Sequence, residues 1–239
     1  MIGDAFGHLL DAVDRGRTHQ VEIVERDDGL FFTGGGRHYL APFREWPAPE
    51  RKAMRHVRGR VLDLGSGGGR VVVHLQERGH DVVGVERSPL VAKVARRRGA
   101  RNVKVMGVDE VTRRRVGTVD TVVMFGNNFG MLGSPAKTRR LLRRLHHVTA
   151  ADARVLAGNM DPYYTKDAVH LAYHERNRRL GKPPGTIRIR LRYQQYATRW
   201  FDWLFLSRDE LEQLLAGTGW HVRAFIDDGP LYVAVLEKD

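Results

Sequence analysis

Val61-Leu62-Asp63-Leu64-Gly65-Ser66-Gly67-Gly68-Gly69-Arg70 is the stretch that decides the fold. Its first four residues read as a buried strand, its glycines as a tight turn, and the apolar spacing through residues 71–78 as a helix. A strand, a glycine turn and a helix in that order form the place where a parallel sheet meets a nucleotide-like ligand. The glycines let the backbone come close, and the first N–H groups of the helix, which lack intrahelical partners, face the ligand's negative end. Glycines also serve structural turns. Here the context adds weight: a buried strand before, a helix after, and an acid, Asp63, ahead of the first glycine.

Working outward from that turn, the pattern is regular. Strands are expected at 81–85, 103–106, 118–125 and 153–158, with helices at 89–98 and 135–148 between them. Such alternation predicts a mostly parallel sheet with helices on both faces. The pattern then breaks. A polar helix runs to Gly181 and Pro183-Pro184, and residues 186–196 alternate strictly, with Ile187, Ile189 and Leu191 opposite Arg188, Arg190 and Arg192. With a strand at 200–206, this predicts an inserted antiparallel hairpin joined around Ala197-Thr198. Ser207-Arg208-Asp209-Glu210 is a capping box opening a helix, and strands at 221–226 and 231–236 close the chain. Ahead of the core lie a helix at 4–15, a hairpin about Asp27-Asp28-Gly29, a glycine-rich then aromatic loop at 33–46, and a helix at 49–56.

Composition narrows the chemistry. The chain has no cysteine, which excludes disulfides, thiolate metal sites and a cysteine nucleophile. Net charge is +12, yet only 7 of the 40 basic residues are lysine, an arginine bias of the kind a GC-rich coding sequence produces. No signal peptide and no stretch long enough to span a bilayer are recognised, so a cytoplasmic protein without a membrane partner is expected.

Three further signals follow the glycine turn in order. Glu86 stands 17 residues after Gly69, at the end of the second strand, where an acid accepts hydrogen bonds from a pair of ribose hydroxyls. Asp109 and Glu110 follow the third strand, where an acid can bond an adenine amino group; the two compete for that role, and a surface turn is the alternative. Gly126-Asn127-Asn128-Phe129-Gly130 follows the fourth strand and puts carboxamides at the mouth of the crevice.

With these residues in place, 61–70 resembles motif I of the class I S-adenosylmethionine (SAM)-dependent methyltransferases, and Asp120-Thr121-Val122-Val123-Met124-Phe125-Gly126-Asn127 resembles that family's fourth motif. The resemblance covers about residues 59–160, completed by 207–237. It implies a Rossmann-like α/β fold with a seven-stranded sheet whose seventh strand is antiparallel. It also implies SAM as cofactor and S-adenosylhomocysteine as product, held by Asp63, Gly65, Ser66, Gly67, Gly69, Glu86, Arg87, Asp109, Glu110, Gly126 and Asn127. The expected organisation is an N-terminal extension, 1–58, and a SAM-binding domain, 59–239, interrupted by the insertion 161–206; the extension and the insertion form the substrate lid.

Within the family the acceptor is expected to be a small molecule, methylated at O or N, with Tyr39, Asn128, Phe129 and Tyr163 lining its pocket. No catalytic residue is assigned, because a sulfonium methyl is already activated and positioning supplies much of the rate. Asp161-Pro162-Tyr163-Tyr164 lies after the wrong strand, and lacks a proline, for the Asp-Pro-Pro-Tyr of amino-group DNA methyltransferases. His170 and His174 share a helical face but have no third ligand in the sequence, so no metal is expected. The arginine strand keeps an RNA or protein methyltransferase open as an alternative, and a non-catalytic SAM-binding protein is another. A nicotinamide-dependent dehydrogenase is disfavoured, because no second mononucleotide-binding half follows.

Overall fold

The computed structural model describes residues 1–239. Its centre is a seven-stranded sheet built from β3 (Val61–Leu64), β4 (Val82–Glu86), β5 (Val103–Val105), β6 (Val119–Met124), β7 (Thr149–Met160), β11 (Trp220–Asp228) and β12 (Leu231–Lys238). The strand order is β11-β12-β7-β6-β3-β4-β5. β3 pairs in parallel with both β4 and β6, and β12 runs antiparallel to β7. β3 is buried along its whole length, as a strand covered on both faces must be.

Helices α3 (Arg70–Gln76) and α4 (Pro89–Arg97) cover one face, and α6 (Pro135–Val148) and α8 (Arg208–Leu215) the other; a single turn, α5 (Arg113–Val116), leads into β6. Val72, Leu75, Ala92 and Ala95 fill the first apolar layer, while Leu142, Leu145, Leu211 and Leu214 fill the second. The chain winds from β3 outward to β5 and returns to place β6 on β3's other side. That reversal opens a crevice above the C-terminal ends of β3 and β6, the usual position for a ligand in such sheets.

The remaining strands form a second sheet. β1 (Val21–Arg26), β2 (Phe31–Gly35), β8 (Thr186–Tyr193) and β10 (Phe201–Leu204) lie in the order β10-β8-β1-β2, with β9 (Tyr196–Ala197) paired to β8. Both expected hairpins form. The structure adds what local pattern does not carry: β1 pairs antiparallel with β8, Val24 opposite Leu191, so the N-terminal segment and the insertion make one continuous sheet. The second hairpin turns earlier than expected, between Tyr193 and Tyr196, where Gln194 takes φ 51°. Ala197 is then held by Met1 and Ile2, and the chain doubles back to pair Phe201 with Ile189. β2 also reaches into the segment expected to be loop, because Gly34 and Gly35 continue the pairing with Glu22 and Val21.

Helix α1 (Ala5–Asp14) anchors this sheet to the core, with Leu9 and Leu10 completely buried. α7 (Ala168–Arg179) closes the far end; Tyr173 on it donates to Asp27 at 2.6 Å. No helix is long and apolar enough to cross a membrane.

Candidate functional site

The glycine turn sits where β3 delivers it. Gly69 is the N-cap of α3 at φ 81°, a left-handed conformation that suits glycine, and a Cβ there would come 3.0 Å from Ala95 Cβ. Gly67 differs: at φ 53° it would find nothing nearer than 4.0 Å to an added Cβ, so its outer side is open. The turn is tied to the neighbouring strand end by Asn128, whose Nδ2 donates to the carbonyls of Leu64 (3.1 Å) and Gly65 (2.9 Å).

Two acids flank the turn. Glu86, at the end of β4, accepts from the Gly67 N–H at 3.1 Å and the Ser88 N–H at 2.8 Å, and burial raises its pKa. Asp63 is 2% exposed, and one of its carboxylate oxygens has no hydrogen-bond partner. Burial pushes its pKa up to about 7, against the pull of the Arg70 guanidinium and with the help of the Glu86 and Glu50 charges. An unpartnered buried carboxylate with a raised pKa marks a site prepared for a cation or hydrogen-bond donor.

Sequence reasoning missed the next group. Glu50, from the helix α2 (Ala48–Ala53) that precedes the core, pairs with Arg70 at 2.6 Å. Its other oxygen accepts from Gly126 N–H at 2.8 Å. The Arg70 guanidinium lies 4.6 Å from the centre of the Trp46 ring. This buried pair pins the loop after β6 to the first turn of α3. Arg70 was visible as the residue closing the glycine motif, whereas nothing in the sequence singles out Glu50.

Above the crevice lies a cavity of about 1150 Å³. Asp63, Gly65, Ser66, Gly67, Glu86, Arg87, Asp109, Gly126, Asn127, Asn128 and Tyr39 all line it. Four of the expected site residues do not. Gly69 lies beneath the turn, against α4. Glu110 turns back to accept from Gly107 N–H and from Arg115, each at 2.7 Å, which leaves Asp109 as the acid of that pair on the cavity wall. Phe129 is 1% exposed and packs in the core. Tyr163 points to Glu210, donating to it at 2.5 Å, while its neighbour Tyr164 reaches the cavity. Each departure has a local cause: helix packing, a capping turn, an apolar ring drawn into the core, and a hydroxyl partner on α8.

The roof of the cavity is the inward face of the second sheet. Val24, Phe32, Ile187, Ile189, Leu191, Phe201 and Trp203 line it. Glu22 and Arg26 interrupt this apolar surface. Arg26 is paired with Asp28 at 2.6 Å, donates towards His170 Nδ1 at 2.9 Å and lies 4.0 Å from the centre of the Tyr173 ring. His174 also lines the cavity, and burial lowers its pKa, favouring the neutral ring.

The arginine strand faces outward and is matched by acids of its own sheet. Arg190 and Arg192 both pair with Glu25, which they hold down at about 2, and Arg188 meets Asp202 at 3.3 Å. Arg176 meets Asp27 at 3.0 Å. These charges are largely spent within the sheet.

Comparison with known proteins places the core. Residues 61–152 match the family model described as a methyltransferase domain. The fold is similar to a SAM-dependent methyltransferase from Bacteroides fragilis in complex with S-adenosyl-L-homocysteine, with TM-score 0.81 and 22% identity over 98% of this chain and 94% of that one. It is also similar to a 1,6-didemethyltoxoflavin-N1-methyltransferase from Burkholderia thailandensis, with TM-score 0.51 and 21% identity over 80% of this chain and 78% of that one. Among curated proteins, the chain is 28% identical over 123 residues to a human lysine N-methyltransferase of the ATP synthase. That match takes in 49% of this chain and spans about half, 50%, of the relative.

Proposed function

The chain belongs, through residues 61–152 and the sheet built on them, to the class I SAM-dependent methyltransferases, and on that premise we propose that it methylates N or O of a small, largely apolar acceptor enclosed beneath the antiparallel sheet. The observation that carries this reading is the cavity: one continuous space of about 1150 Å³ joins the glycine-turn crevice to an apolar roof. A small ligand is recognised in such a space by apolar walls and a few placed polar groups. The outward arginines are paired with acids, which removes the main support for an RNA acceptor.

The residues fit SAM. Asp63 offers a buried oxygen without a partner to an ammonium, Gly67 leaves room for close approach, and Glu86 and Asp109 stand at the ends of successive strands for ribose and adenine. Gly65, Ser66, Arg87, Gly126 and Asn127 would complete the contacts. SAM supplies an electrophilic sulfonium methyl. The protein's task is to fix the acceptor in line with it and to keep water out; well-oriented positioning is worth about 7–11 kcal/mol of barrier. The roof residues do the second part, and Asn128 and the Glu50–Arg70 pair keep the floor rigid for the first.

Calorimetric titration with S-adenosylhomocysteine, followed by mass spectrometry of methyl incorporation into a small-molecule library and into bulk tRNA, tests this. Binding plus a methylated small molecule is the expected result. Incorporation into tRNA alone would overturn the acceptor class, and absence of binding would overturn the whole reading.

A further inference from the structure

Glu22 is the least accountable charge in the molecule. It sits on the inward face of β1, between strands, and is only 3% exposed. One carboxylate oxygen accepts the Tyr39 hydroxyl at 2.5 Å; the other has no hydrogen-bond partner at all. The residue lines the cavity. Leaving a buried carboxylate half satisfied is costly, and such groups normally have a reason.

The surroundings make room for it. Glu22 lies directly opposite Gly34 on β2, and a Cβ at Gly34 would stand 2.6 Å from the carboxylate. A glycine at that register position therefore leaves the acid its space. The terminal torsion of a glutamate is broad and roughly two-fold, so either oxygen can hold Tyr39 while the other meets the cavity. No cation of the protein answers the charge. Arg26 shares the same strand face four residues on, about 13 Å away by strand geometry, and is already committed to Asp28 and His170. Phe6 packs its edge on Tyr39 at 4.8 Å, and Val24 and Leu191 continue the apolar wall.

A lone acid in an apolar wall, with a free oxygen and no counter-charge, is complementary to a ligand that brings the charge itself. We propose that Glu22 is the acceptor-binding acid of this enzyme and that the acceptor is an amine, bound as its ammonium ion to the Glu22 carboxylate. This rests on the small-molecule methyltransferase reading above and narrows it to N-methylation. The step balances. The ammonium R–NH3⁺ gives one proton to the carboxylate, leaving R–NH2 and a carboxylic acid. The nitrogen lone pair forms the new N–CH3 bond as the S–CH3 bond breaks, and that bond's electrons leave with sulfur. The product is R–NH2⁺–CH3, and the Glu22 proton passes to solvent when the product departs. Tyr39, through its hydroxyl, is a positioning residue that holds the carboxylate towards the cavity.

The test uses the full chain saturated with S-adenosylhomocysteine. Tryptamine, 2-phenylethylamine and octylamine are titrated against their alcohol counterparts, tryptophol, 2-phenylethanol and octanol. The wild type is expected to bind at least one amine about tenfold or more tightly than its alcohol. Glu22→Gln, which keeps the shape and removes the charge, is expected to abolish that preference while leaving S-adenosylhomocysteine affinity unchanged. Tyr39→Phe is expected to retain the preference. Equal binding of amine and alcohol by the wild type, or a preference that survives in Glu22→Gln, overturns the proposal. The wild-type comparison needs no variant, so a poorly folded Glu22→Gln does not remove the test. Failure of the wild type to bind S-adenosylhomocysteine would instead strike the methyltransferase reading itself.

Discussion

Replacing Asp63 by Asn separates the cost of this carboxylate from its use. The folded protein holds its pKa at about 7, against an ordinary value of 3.8. Because the folded value is the higher one, the native state keeps a proton that the unfolded chain loses between pH 4 and 7. Stability from this residue is therefore fully present below the lower value and is lost as pH rises through the window. At about 1.4 kcal/mol per unit, the ionised group costs about 1.5 kcal/mol at pH 5 and about 4 kcal/mol at pH 8. The Asp63→Asn variant carries no such cost, and any fixed penalty of the amide cancels between the two pH values. Relative to wild type, this variant should thus gain about 2.5–3 kcal/mol in stability on going from pH 5 to pH 8.

Urea denaturation of both proteins without ligand at the two pH values measures this. The use of the carboxylate appears in binding. If the cofactor's ammonium meets Asp63, the affinity of wild type for S-adenosylhomocysteine should fall about tenfold per pH unit below about pH 7, with proton release on binding. Asp63→Asn should bind more weakly at pH 8 and show no such slope. A stability difference that is flat from pH 5 to 8, or an affinity that is flat from pH 6 to 8, would refute the reasoning.

Three other substitutions probe the frame. In Gly130→Ala the new Cβ would lie 1.8 Å from the Leu204 carbonyl oxygen, a backbone atom that cannot swing aside, so a loss of about 1–3 kcal/mol or more is expected in chemical denaturation. Asn128→Ala removes the two donors that lock the glycine turn, which should cost about 1–2 kcal/mol and weaken S-adenosylhomocysteine binding measured by calorimetry. Arg190→Gln should barely move the urea midpoint, because its pair with Glu25 lies near the surface, where solvent screens the attraction. The same variant should leave tRNA retention in a filter assay unchanged.

How much of this was legible depended on the range of the interaction. Val61–Leu64, the glycine turn, Ser88 before Pro89 and the Ser207–Glu210 capping box are local signals, and each element stands where its signal put it. The antiparallel closing strand was also foreseen, because the resemblance carried it. The union of β1 with β8 was not, since the two strands lie far apart in the chain and the pattern of each describes only its own two faces. That alternation did state which side of β8 is apolar; it could not state that Glu25, far upstream, would neutralise Arg190 and Arg192. For the same reason the choice between Asp109 and Glu110 was closed only by the partners Gly107 and Arg115, which draw Glu110 away from the cavity. Glu22 and Glu50 escaped notice because single acids in strands and short helices carry no motif; their meaning lies in what fails, or happens, to stand beside them.

That asymmetry bears on specificity. Apolar walls such as Ile187, Ile189, Phe201 and Trp203 discriminate weakly, since one methylene more or less in a hydrophobic pocket changes binding by only about 1–3 kcal/mol. A buried polar group is a sharper filter, because an analogue that cannot satisfy it leaves the group unpaired and is rejected far more strongly. In this roof Arg26 cannot serve as that filter, having been neutralised by Asp28 and capped by His170. Glu22 remains able to do so, and it stands on the one strand that joins the N-terminal segment to the insertion. Selection of the acceptor is therefore concentrated at a position that exists only when both peripheral segments have folded onto each other, while the glycine turn beneath them is built from the core alone.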